Sequence, residues 1–101
     1  MTLITNFFKQ AVTPSEFNLK QNYPNPFNAN TTIKYFVPYK TKVIIIIINS
    51  NGDIVEKLIS REQESGIYDL ELRADGLPEG TYYYQMIADK FSDTKKMELK
   101  K

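Results

Sequence analysis

Between Asn22 and Asn28 the chain reads Asn-Tyr-Pro-Asn-Pro-Phe-Asn, a stretch that excludes a helix more firmly than any other in the sequence. Proline fixes its own φ, lacks an amide donor, and pushes the residue before it out of the helical region. Tyr23-Pro24 and Asn25-Pro26 therefore enforce an extended or turning backbone, on which Tyr23 and Phe27 can act as anchors. An alternating segment follows at once. Ile33, Tyr35 and Val37 fall on one side, Thr32, Lys34 and Phe36 on the other, and Pro38 ends the run. That period of two is the signature of a half-buried strand.

The same period recurs along the rest of the chain. A short strand is expected over Phe17 to Gln21. Val43 to Ile48 is an unbroken β-branched run, and Asn51-Gly52 suits the positive φ angles of a hairpin turn before Ile54 to Ser60. Ile67 to Arg73 alternates through Tyr68, Leu70 and Leu72. The turn Gly76 to Gly80 leads into Thr81 to Ala88, and Asp89-Lys90 leads into Phe91 to Leu99. About seven short antiparallel strands at this spacing predict an all-β fold, an immunoglobulin-like β-sandwich. Residues 1–16 read instead as a leader or linker. Leu3, Ile4, Phe7, Phe8, Ala11 and Val12 recur at helical spacing, which predicts a short amphipathic helix stopped by Pro14, with the domain proper spanning 17–101.

Composition closes off whole classes of function. The net charge of +1 lacks the basic footprint of a nucleic-acid binder. Histidine and cysteine are both absent, so the usual zinc sites, Ser-His triads and Cys-His dyads cannot be built. The pairs Glu62/Glu64 and Asp69/Glu71 each share a strand face, but in polar surroundings that would not raise a carboxyl pKa for acid/base work. Asp53, Asp75 and Asp89 are turn formers rather than a calcium loop. No catalytic residue, metal or cofactor is expected, and the chain reads as a non-enzyme. Met1 to Lys9 is not a signal peptide, and Val43 to Ile48 is too short to span a bilayer. The expectation is a piece of a longer secreted precursor.

Four blocks carry a resemblance. Leu19-Lys20-Gln21 with Asn22, Tyr23, Pro24, Asn25, Pro26 and Phe27 is the first. Asn49 to Gly52 with the following Val55 and Leu58 is the second, and Leu77-Pro78-Glu79-Gly80-Thr81-Tyr82 the third. The last is Lys95-Lys96-Met97-Glu98-Leu99-Lys100. Together they resemble the type A C-terminal sorting domain of the type IX (Por) secretion system. Asn49 stands where that family more often has aspartate, Ala29 where it has proline, and Leu72 where it has tryptophan. The resemblance implies a non-catalytic module that directs an upstream passenger to the outer-membrane export machinery of a Gram-negative bacterium. It also implies cleavage after export by a sortase-like peptidase, and passage through the periplasm to a secreted or cell-surface fate. The competing class is an accessory carbohydrate- or surface-binding sandwich retained on a secreted enzyme.

The resemblance places sorting recognition at Lys95, Lys96, Met97, Leu99 and Lys100. The last twelve residues hold five lysines against Asp93 and Glu98. Lysine also protects an edge strand from unwanted pairing, and docking by strand addition is compatible with that role. Gly80 and Tyr82 suit a tyrosine corner, its hydroxyl bonded to backbone across the sandwich. Tyr83 is the one residue of its strand clearly available as a sugar platform. Finally, if Val43, Ile45 and Ile47 face the core, Ile44, Ile46 and Ile48 point outward, with Phe36 expected on the same face. Such a patch calls for a cover: a second copy in a homodimer, the leader, or the passenger.

Overall fold

The structure is a computed structural model that describes residues 4–10 and 13–101. Eight strands appear among the described residues: β1 (Ile4–Gln10), β2 (Asn18–Leu19), β3 (Asn30–Val37), β4 (Thr41–Asn49), β5 (Ile54–Gln63), β6 (Gly66–Arg73), β7 (Gly80–Ala88) and β8 (Phe91–Leu99). They form two four-stranded sheets, ordered β1-β6-β3-β2 and β5-β4-β7-β8. Every paired neighbour is antiparallel. The fold is an all-β sandwich.

The strands expected from alternation correspond to β2–β8, and β1 is the addition. Residues 4–10 were expected to be helical, yet they pair along β6 from Ile4 opposite Arg73 to Gln10 opposite Ile67. Two turns of isolated helix are too short to offset the cost of helix nucleation. A strand on β6 instead satisfies backbone groups that would otherwise line an open edge. Lys9, the one β1 side chain described, sets its Nζ 5.9 Å from the centre of the Tyr68 ring. Leu3, Ala11 and Val12 of the expected helix lie outside the described residues.

The core lies between the sheets and follows the period of two. Ile33, Tyr35, Val37, Tyr68, Leu70 and Leu72 from one sheet meet Val43, Ile45, Ile47, Tyr84, Met86, Met97 and Leu99 from the other, none more than 3% exposed. At about 1.5–3 kcal/mol for each fully buried large side chain, this layer is the main stabilising term. Tyr35 and Tyr68 lie opposite each other in register and stack with ring centres 5.1 Å apart. The Tyr35 hydroxyl donates to Oε1 of buried Gln63 at 2.8 Å.

Turn chemistry differs from expectation at one hairpin. Among the residues of the β4–β5 turn only Gly52 has positive φ, at 89°. Gly52 N–H donates to the Asn49 carbonyl, and Asn49 Oδ1 accepts from the amides of Asn51 and Asp53. This is a longer loop with glycine at the left-handed position, rather than a two-residue turn with both central φ angles positive. Asn49 does with its amide oxygen what an aspartate would do there. The β4–β5 ladder also shifts register twice, between Ile45 and Ile46 and between Ile47 and Ile48. Val55 and Leu58 turn partly toward the core there, while Ile54 is left exposed. Such irregularities bend an edge strand away from foreign partners.

Candidate functional site: the proline loop and the last strand

β8 is an edge strand, bonded to β7 on one side only. On its open side the C-terminal half is covered by the loop that carries the two prolines. Gln21 Nε2 donates to the Lys96 carbonyl at 2.6 Å. Asn25 Oδ1 accepts from the Glu98 amide at 2.9 Å. Phe27 N–H donates to the Glu98 carbonyl at 3.0 Å, and Lys100 N–H donates to the Phe27 carbonyl at 2.8 Å. Phe27 and Leu99 thereby form a parallel bridge. Four hydrogen bonds join segments more than seventy residues apart in the chain.

The loop can do this because its own backbone is held from within. Tyr23 and Thr32 exchange two backbone hydrogen bonds. Asn22, only 2% exposed, donates from Nδ2 to Thr31 Oγ1 at 2.9 Å and to the Pro24 carbonyl at 3.1 Å. Thr31 Oγ1 donates to the same Pro24 carbonyl at 2.8 Å. Both prolines follow cis peptide bonds. Phe27 enters the core beside Leu99, and the Tyr84 hydroxyl donates to the Lys20 carbonyl from below. Asn22 and Asn25, read from the sequence only as parts of a motif, are thus connectors, and only the folded chain shows what they connect.

The lysine-rich strand divides by side. Met97 and Leu99 are fully buried between the sheets. Lys96, Lys100 and Lys101 are exposed. Lys95 lies 3.5 Å from Asp93, and Lys96 lies 3.7 Å from Glu98. Surface pairs of this kind contribute little to stability, so the lysines remain open to other anions. Toward the N-terminal end of β8, no strand or loop pairs with the side opposite β7 among the described residues. Thr94 N–H is taken by the Asp93 carboxylate instead.

The remaining candidates are spread over the molecule. Gly80 adopts φ 155° and opens β7, while the Tyr82 hydroxyl donates to the Pro78 carbonyl at 2.6 Å. That bond spans four residues of chain rather than the sandwich. Tyr68 makes the same arrangement with the Glu64 carbonyl at 2.8 Å. Leu77 is buried beneath the corner. Tyr83 is half-buried on the outer face of its sheet.

The expected outer apolar patch needs correction. Phe36 belongs to β3, in one sheet, whereas Ile44, Ile46 and Ile48 belong to β4, in the other, so they do not share a face. The chain crosses between the sheets at Pro38, and adjacency in sequence gave no sign of it. Lys20 Nζ lies 5.4 Å from the centre of the Phe36 ring. Ile46 stands between Lys57 and Gln85 in register and is only 8% exposed. Nor does β1 cover the isoleucines, since it lies in the opposite sheet.

No curated protein and no solved structure matches the chain. A family model does, described as the secretion system C-terminal sorting domain, and it spans residues 21–100. Its span runs from Gln21, whose side chain donates to the Lys96 carbonyl of β8, to Lys100, whose amide donates to the Phe27 carbonyl. The chain belongs to the family of type IX secretion C-terminal sorting domains.

Proposed function

We propose that this domain directs an N-terminally fused passenger to the outer-membrane machinery of the type IX system, which reads the last strand and its lysines. The family match over residues 21–100 carries this reading. The sorting signal of such a domain is non-catalytic, and its family implies export to a secreted or cell-surface destination. In the finer reading, the export receptor docks on the unpaired edge of β8 around Ser92 and Thr94 by adding a strand. Lys95, Lys96 and Lys100 steer the approach. Met97 and Leu99 keep the strand anchored while it is read. Passage through the periplasm of a Gram-negative cell, and cleavage from the passenger by a sortase-like peptidase, complete the proposal.

The test is a secretion assay with the whole chain fused behind a periplasmic reporter in a competent host. Removing Lys95 to Lys101 would be a poor variant, because it also takes Met97 and Leu99 from the core and strips Asn25 and Phe27 of their partners. Reversing charge at Lys96 and Lys100 leaves those contacts in place. The reporter should then accumulate in the periplasm while the thermal midpoint of the domain is unchanged. Undiminished export by the charge-reversed fusion would rule out the lysines as part of the signal.

A further inference from the structure

We propose that the groove beside Tyr23 binds an acidic saccharide. The groove is open, about 460 Å³ in volume, and lined by Lys20, Gln21, Tyr23, Thr32, Lys34 and Asp69. It lies on the outer face of the first sheet, where the chain leaving β2 runs beside β3 and Asp69 of β6 closes the far side. Tyr23 is 81% exposed, more than any other large hydrophobic side chain among the described residues. Its backbone is nonetheless fixed, by reciprocal hydrogen bonds with Thr32 at 2.9 and 3.0 Å. The next residue back, Asn22, is locked into the buried network. A ring held bare to water on a rigid support makes no packing contribution that would explain its position. A flat aromatic face is, however, a surface on which the C–H side of a sugar ring stacks, and its rigidity lowers the entropy lost on binding.

The rest of the lining offers what sugar hydroxyls require. Thr32 supplies a hydroxyl, Gln21 an amide oxygen, and Asp69 a carboxylate held by Lys34 at 3.0 Å. A few placed polar groups beside an apolar surface is the usual make-up of a small-molecule cleft. Charge then narrows the ligand. Asp69 holds the Lys34 ammonium, so Lys20, whose ammonium lies 5.4 Å from the centre of the Phe36 ring, carries the unbalanced charge of the lining. A saccharide bearing a carboxylate fits that balance better than a neutral one. A peptide strand is disfavoured, since the groove lies over the sheet face and β2 presents an edge of only two residues. The groove meets β8 only through Gln21, whose Nε2 donates to the Lys96 carbonyl, so a substitution at Tyr23 and a charge reversal at Lys96 test different surfaces.

The test is an NMR titration of the whole chain with a galacturonic acid tetramer and, in parallel, a neutral glucose tetramer. The acidic tetramer should shift the amides of Tyr23, Thr32, Lys34 and Asp69, and the neutral one should bind more weakly. Tyr23→Ala should weaken binding by about tenfold, in line with the loss of one stacked ring. Because that side chain is exposed, the thermal midpoint should not move. Lys20→Gln, which keeps the stacking ring, should bring the acidic and neutral tetramers to similar affinity. Absence of shifts with both tetramers, shifts located elsewhere, or full binding by Tyr23→Ala would each overturn the proposal. So would a preference for the neutral sugar, or a Tyr23-dependent response to an extended peptide alone.

Discussion

Asn22 shows how much one polar side chain can hold when it is nearly dry. It joins Thr31 and Pro24 inside the proline loop and accepts from Gln21 Nε2 at 2.7 Å. Asn22→Ala should therefore cost about 1–3 kcal/mol, the penalty for leaving buried polar groups without partners, measured as a lower urea midpoint. Tyr82→Phe is a milder test. It removes the donor to the Pro78 carbonyl but keeps the ring, so a loss of about 1 kcal/mol is expected. An unchanged urea midpoint would show that the corner hydrogen bond adds nothing. Tyr35 and Tyr84 give a pH signature. Burial pushes both hydroxyls above the ordinary tyrosine value of 10.0, so the folded chain keeps them protonated where the unfolded chain ionises them. Their contribution is complete below that value and lost as pH rises above it. Urea midpoints should hold steady to mildly alkaline pH and then fall, and Tyr35→Phe should make the fall shallower.

At the scale of elements, alternation made most of the sandwich legible. Val43, Ile45 and Ile47 read as core because a period of two permits only one inward face, and the structure buries all three completely. β1 was misread because Ile4, Phe7 and Phe8 satisfy a helical spacing as well as they suit a strand. What decided the matter was the vacant edge of β6, which no local pattern reveals. Phe36 was assigned to the wrong face for a related reason, since a crossing between sheets leaves no mark in periodicity. The partnership of the proline loop with β8 was hidden most thoroughly. Asn25 and Glu98 are hydrogen-bonded across seventy-three residues, and neither carries a local cue to the other. Two measurements follow at this scale. Phe27→Ala should cost about 3–5 kcal/mol, because it empties a core position and loosens the loop on β8. Removing residues 1–12 should leave a folded domain in which the β6 amides facing β1 exchange with solvent faster and those facing β3 do not. Equal exchange on both sides would show that β1 does not pair in solution.

Over the whole molecule, the edges are treated differently from one another. β5 is broken by register shifts, β1 closes the flank of β6, and β8 is half sealed by the loop. The unsealed half is thus the regular edge nearest the lysine cluster, and charge reversal there should alter export rather than stability. The seal itself has a consequence for protein synthesis. A polypeptide that stops short of Met97 lacks two core side chains, Met97 and Leu99, and the loop around Asn25 and Phe27 loses its partners at Glu98 and Lys100. Nothing upstream can substitute, because β7 needs β8 and the loop needs its far end. Completing this fold therefore certifies that the ribosome has read the message to within a few codons of Lys101. A nonsense-truncated or nicked passenger would carry no such certificate, and export keyed to the folded domain would discard it.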